Sequence, residues 1–197
     1  MNPIAVIVLT LVLLALFIAT LIATARMIKR QKKARRRAFA AAAAEKGWLY
    51  EESSVAWANA FGIKPFRKGA GRHARALDVV SGTVYGHRAV GLRYRYTRGT
   101  NPDNLSDIYS WYTVCGVELP PDLESVDPER KTFAVDRGNQ LVRRVMRKRR
   151  VTWCIDGNWL VCWERGENAR PEVVFDRLQL LAAIVEGQAG RVAVRSD

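Results

Sequence analysis

The chain has 197 residues, a formal net charge of +13 and a pI of about 10.2. That length holds one ordinary domain plus an additional segment, not two domains, and a domain of about 160 residues needs neither disulfides nor a structural metal to keep a core. Its three cysteines are an odd number without framework spacing, which excludes a disulfide-stapled scaffold and reads as reduced thiols in a reducing compartment.

The charge is concentrated. Arg26, Lys29, Arg30, Lys32, Lys33, Arg35, Arg36 and Arg37 contribute +8 with no acid among them. Arg143, Arg144, Arg147, Lys148, Arg149 and Arg150 contribute +6, and outside these two clusters the chain is close to neutral. An electrostatic partner is therefore expected at one of the two clusters.

Residues 1–3 precede an uncharged stretch, 4–25, whose only polar residues are threonines. At ~1.5 Å per residue it spans roughly 33 Å, enough to cross a bilayer as a single transmembrane helix. Because it is apolar all round, it does not read as an amphipathic core helix. The basic residues that follow place the N-terminus outside and the remainder on the cytoplasmic side of a cell membrane. A cleaved signal peptide is the competing reading, suggested by Ala23-Thr24-Ala25. The absence of Lys or Arg before the span, its length and the basic run behind it all oppose cleavage.

Residues 26–46 favour a helical stalk that continues the span, with Gly47 at the position of a C′ glycine. Its eight cations are a stop-transfer signal that also touches anionic headgroups. Specific lipid or nucleic-acid binding there is the sharper alternative.

Within residues 47–187 the expected domain opens with a short helix, capped by Ser53 or Ser54, running to Phe61 and ended by Gly62. Residues 64–72 read as a loop from their Gly and Pro content. Gly69 and Gly71 lack the Gly-Lys-Ser/Thr of a P-loop. A β-hairpin follows from Leu77 to Thr97, turning at Gly86-His87 as type II′. Pairing Tyr85 with Arg88 puts Leu77, Val79, Ser81 and Thr83 on the core face with Val90, Leu92, Tyr94 and Tyr96, and Asp78 opposite Arg95. On one strand the tyrosines Tyr94 and Tyr96 point away from Arg93 and Arg95, so no shared RNA-binding stripe is expected.

A polar loop at 99–107 leads to a strand from Tyr109 to Leu119, stopped by Pro120-Pro121. A short strand is expected from Lys131 to Asp136. Leu141, Val142, Val145 and Met146 then mark a helix whose other surface carries the second basic cluster. Val151–Ile155 and Asn158–Trp163 form a hairpin around Asp156-Gly157. A final helix opens at Pro171 and closes at Gly187, with an apolar stripe of Val174, Leu178, Leu181, Ile184 and Val185, and 188–197 is a flexible tail. The expected fold is α+β: a mainly antiparallel sheet of about five to seven strands, covered on one face by helices. A pleckstrin-homology-like barrel is the alternative.

No residue set supports a catalytic assignment. His73 and His87 lack a nearby acid in this pairing. Cys154 and Cys162 have the wrong spacing for zinc, and Cys115 sits in an apolar strand, so all three read as small buried apolar residues. Glu51-Glu52 stand alone, and the six tryptophans read as core and rim packing. No cofactor or metal is implied.

Gly47-Trp48 after the alanine-rich stalk, Val79-Val80-Ser81-Gly82-Thr83 leading to Gly86, and Gly157-Asn158-Trp159-Leu160-Val161-Cys162-Trp163 before the last helix resemble a family of uncharacterised single-pass membrane proteins of actinobacteria. The resemblance implies the architecture and carries no activity. The expected function is that of a membrane-anchored, non-catalytic cytoplasmic domain that binds a protein partner or the inner-leaflet surface. Nucleic-acid binding through 143–150 and an enzyme assembled from residues distant in sequence are the alternatives.

Overall fold

The computed structural model describes residues 3–70, 72–103, 106–121, 151–166 and 169–195. The chain divides into two compact units, Met1–Ala38 and Phe39–Asp197.

The first unit is helix α1 (Pro3–Glu45), whose last turns from Phe39 belong to the second unit. It is long and apolar enough to cross a membrane. From Leu11 to Ile22 its apolar side chains are exposed on every side, including Leu11, Leu14, Phe17 and Leu21. Thr20 and Thr24 donate back to the carbonyls of Phe17 and Thr20, at 2.7 and 2.8 Å, which satisfies their hydroxyls without water. The helix stops as its sequence dictates. Gly47 takes φ +67°, its N–H bonds the Ala44 carbonyl, and the Trp48 N–H bonds the Ala43 carbonyl at 2.8 Å. This paired closure is a Schellman motif, and only a residue content at positive φ fits its C′ position.

The second unit is α+β. Strands β1 (Leu49–Ser54), β2 (Arg75–Val84), β3 (His87–Thr100), β4 (Asp107–Glu118), β5 (Thr152–Asp156) and β6 (Trp159–Arg165) form one sheet in the order β1-β2-β3-β4-β6-β5. Every neighbouring pair is antiparallel. Short helices α2 (Val55–Ala58) and α3 (Lys64–Gly69) lie between β1 and β2, and α4 (Pro171–Arg195) follows β6. Among the described residues the sheet is open, with β1 and β5 at its ends, in place of the barrel alternative.

Both faces of the sheet are covered, where the sequence suggested one. On one face Val80, Cys115, Val117, Leu160 and Cys162 meet Val174, Leu178, Leu181 and Val185 of α4, together with Phe39 and Ala43. On the other Val79, Val90, Leu92, Tyr94, Val114 and Val161 meet Phe61, Ile63 and Phe66. Adjacent buried residues such as Val79-Val80 and Leu160-Val161-Cys162 carry this message, because a strand buried on both sides is apolar without alternation. The expected stripe of α4 is buried, except that Ile184 is only partly so. Helix α4 seats directly on Gly91: a methyl group there would lie 2.3 Å from Val174 Cγ1.

Both hairpins form, each with its turn displaced by one residue. Val84 pairs with His87, so Tyr85 and Gly86 are the central pair, at φ 50° and 83°. Two positive values define type I′, not II′. Asp156 pairs with Trp159, and of the central Gly157-Asn158 only the glycine has positive φ, the II′ pattern. In the first hairpin the shift places Ser81 opposite Val90, and a bulge between Leu77 and Val80 holds Asp78 at φ 48°. The bulge brings Asp78 to Arg93, not to Arg95.

Four further corrections concern element limits. Leu49–Ser54, whose Glu-Glu-Ser-Ser sequence has little strand character, becomes β1 through pairing of Tyr50 with Val80 and Ser53 with Leu77. Ser54 stands at the N-cap of α2 without a side-chain capping bond, and that helix ends at Ala58. Residues 64–69 are helical where a loop was expected, with Pro65 in the first turn and Gly69 pressed against Tyr94. Helix α4 continues past Gly187 to Arg195. The expected strand 131–136 and helix 141–146 lie outside the described residues.

Candidate interaction surface

The first basic cluster lies wholly on α1. At about 3.6 residues per turn, Arg26, Lys29, Arg30, Lys32, Lys33, Arg35, Arg36 and Arg37 point in every direction around the axis. They form a collar roughly 16 Å tall, not a stripe. All are exposed except Arg35, which is partly covered. A collar addresses a charged plane around the helix better than a groove on one side of it. The second cluster, Arg143, Arg144, Arg147, Lys148, Arg149 and Arg150, lies outside the described residues.

A third basic group emerges on the folded domain. On α3, Pro65, Phe66 and Gly69 face inward, and Lys64, Arg67 and Lys68 are exposed. Phe66 stacks on Tyr94 with ring centres 4.1 Å apart, and Tyr94, Tyr96 and Tyr112 continue the row at 6.2 and 6.1 Å. The Thr97 N–H bonds the Arg72 carbonyl at 2.9 Å, bringing Arg72 beside Arg98. Arg165 pairs with Tyr112 across β4 and β6. Burial raises the Tyr112 hydroxyl pKa, as do Tyr96's hydrogen bond and charge, and the nearby Arg165 and Arg98 pull it back down. Lys64, Arg67, Lys68, Arg72, Arg98 and Arg165 are all exposed on the α3 side, and no ion pair involves any of them among the described residues.

This group was missed because the chain outside the two clusters sums to near neutrality. Five Lys or Arg residues between 64 and 75, with no acid between them, were the available signal. The segment's basic, glycine-rich character invites a phosphate-binding reading, but the missing P-loop pattern argues only against that one loop geometry and says nothing of which way the cations of a helix point.

Two arginines on the opposite side of the sheet are differently placed. Arg93 Nε donates to Asp78 Oδ2 at 2.7 Å, with the two side chains only 4% and 2% exposed, and the Tyr50 hydroxyl donates to Asp78 Oδ1 at 3.0 Å. Arg177 is buried and pairs with Glu164. Arg93 and Arg95 do point away from Tyr94 and Tyr96. The neighbouring strand nonetheless supplies aromatic partners: Arg93 lies 5.0 Å over Trp111, and Arg95 lies 4.5 Å over Tyr109.

Cys115 and Cys162 are direct cross-strand partners in the core, while Cys154 lies on the other face opposite Val161. A hydrogen bond to Cys162, then burial, push the Cys115 thiol well above its usual range, which leaves it protonated and a poor nucleophile at neutral pH. His87 does have an acid beside it, from outside its hairpin: Nε2 lies 2.7 Å from Glu186 Oε1 on α4. His73 is exposed at φ 48°. Among the described residues no three His, Cys, Asp or Glu side chains are grouped to hold a metal ion.

Helix and sheet together define an α+β domain behind a long apolar helix, with a basic collar on the helix and a separate basic face on the domain. Compared with protein-family models, with curated proteins and with solved structures, the chain matches none.

Proposed function

We propose that the chain is a single-pass membrane protein whose α+β domain is a non-catalytic binding module on the cytoplasmic side, engaging the inner leaflet or a protein partner there. The observation that carries this reading is the make-up of α1. Its apolar surface is exposed on every side from Leu11 to Ile22, and a collar of eight cations follows it without a break in the helix. The uncharged stretch 4–25 to which this surface belongs is long enough to span hydrocarbon, where a helix satisfies its backbone internally. The collar favours the side from which cations do not cross. Each cation near an anionic leaflet adds about 1 kcal/mol of attraction.

The test is a pair of fusions after Asp197, one to a reporter active only in the cytoplasm and one to a reporter active only after export. Activity of the cytoplasmic reporter alone is the expected result. Activity of the exported one would place the domain outside and end the inner-leaflet reading.

A further inference from the structure

We infer that the α3 side of the domain, built by Lys64, Arg67, Lys68, Arg72, Arg98 and Arg165, is a second membrane-contact surface that takes anionic phospholipid headgroups. The inference rests on the tethered reading above and names the surface through which the domain itself meets the leaflet.

Three observations carry it. The six cations are exposed and unpaired among the described residues, whereas Arg93 and Arg177 on the opposite face are buried and paired. An unpaired cluster of one sign raises its own electrostatic energy, and a dense anionic plane relieves that repulsion. The scaffold beneath is rigid. Helix α3 is clamped by the Phe66–Tyr94 stack and by Gly69 against Tyr94, and the Gly62 N–H before it bonds Asp156 Oδ2 at 2.6 Å. Association therefore costs side-chain ordering and little backbone ordering. Tyr112, half-buried between Arg98 and Arg165, adds an amphipathic ring of the kind favoured at headgroup depth.

Single-stranded nucleic acid is the other polyanion to consider, and it needs open ring faces on which bases stack. Here Phe66 covers Tyr94, and Tyr94 and Tyr96 are both buried. In this row only the edge ring, Tyr112, is left partly open beside the cations, fewer than successive bases stack on. A tethered domain also meets headgroups at high effective concentration.

The experiment uses the full chain in phosphatidylcholine nanodiscs, mixed with vesicles that either contain or lack phosphatidylserine, and measures co-flotation. Capture by the phosphatidylserine vesicles alone is expected. The Arg67→Glu/Lys68→Glu/Arg72→Glu variant should reduce capture by roughly tenfold or more, since each cation contributes to headgroup attraction. The charge-conserving Arg67→Lys/Arg72→Lys variant should retain it. Unchanged tryptophan emission and urea midpoint check that the triple variant is folded. A wild-type chain that is not captured overturns the inference, as does capture unaffected by the triple variant but lost when the α1 collar is neutralised. Displacement of the vesicles by single-stranded RNA at equal charge concentration would assign the surface to nucleic acid and overturn it too. Failure of the tethering reading shows separately, in the reporter fusions.

Discussion

On the α4 side of the sheet, Arg93 and Arg177 are buried and each meets a carboxylate, Asp78 and Glu164. On the α3 side, Lys64, Arg67, Lys68, Arg72, Arg98 and Arg165 are exposed and none meets one among the described residues. The same residue type thus answers to two different demands. A cation removed from water must be paired, because an uncompensated buried charge costs several kcal/mol. A cation left in water needs no partner for the fold, so its pairing is free to be supplied from outside. The contrast separates the cations that maintain the domain from those available to its partner.

The largest expected effect attacks the buried side. Asp78→Ala removes the carboxylate that meets the buried Arg93 guanidinium and should lower stability by about 3–5 kcal/mol. The measurement is urea unfolding of the full chain in phosphatidylcholine nanodiscs, followed by tryptophan emission. A change below 1 kcal/mol would mean that the ion pair is not what justifies burying Arg93.

The second prediction concerns the tyrosines under α3. Burial, with a smaller contribution from Tyr96, pushes the Tyr94 hydroxyl up to about 12 from its ordinary 10.0. Below pH 10 both folded and unfolded states keep that proton, so the folded state loses nothing there. As pH rises from about 10 to about 12 the unfolded state ionises first, and stability falls across that window. An ultraviolet tyrosinate titration should show Tyr94, together with Tyr112, lagging the rest, and ionisation of every tyrosine together near pH 10 would contradict this.

Gly91→Ala comes next. A methyl group against Val174 overfills the seat of α4 and should cost about 1–3 kcal/mol. The smallest effect is Lys68→Ala, expected to change stability by less than about 0.5 kcal/mol, since the side chain serves no described contact. A loss of 2 kcal/mol or more there, roughly the size of a buried-contact effect, would dissolve the distinction between the two faces.

Helix α1 was legible in the sequence almost to the residue, because one-dimensional signals determine it: an uncharged run, a polar flank and a C′ glycine. The hairpins were legible in existence but not in register. A glycine can occupy either central position of a two-residue turn, and cross-strand packing chooses between them. Asp78 shows the consequence, since a one-residue shift and a bulge exchange Arg95 for Arg93 as its partner. Strand β1 was illegible because its pairing with β2, not its composition, makes it a strand. The basic face was illegible for a different reason. Its members come from α3, the segment before β2, the end of β3 and the end of β6, and only folding assembles them.

The most direct test of the account is hydrogen exchange on the full chain in nanodiscs, comparing phosphatidylcholine discs with discs that also contain phosphatidylserine. The account expects slower exchange across residues 64–75 when phosphatidylserine is present, reversed by high salt, with the stretch of α4 from Val174 to Val185, packed on the opposite face, unchanged. Equal exchange across 64–75 in the two lipids would contradict it.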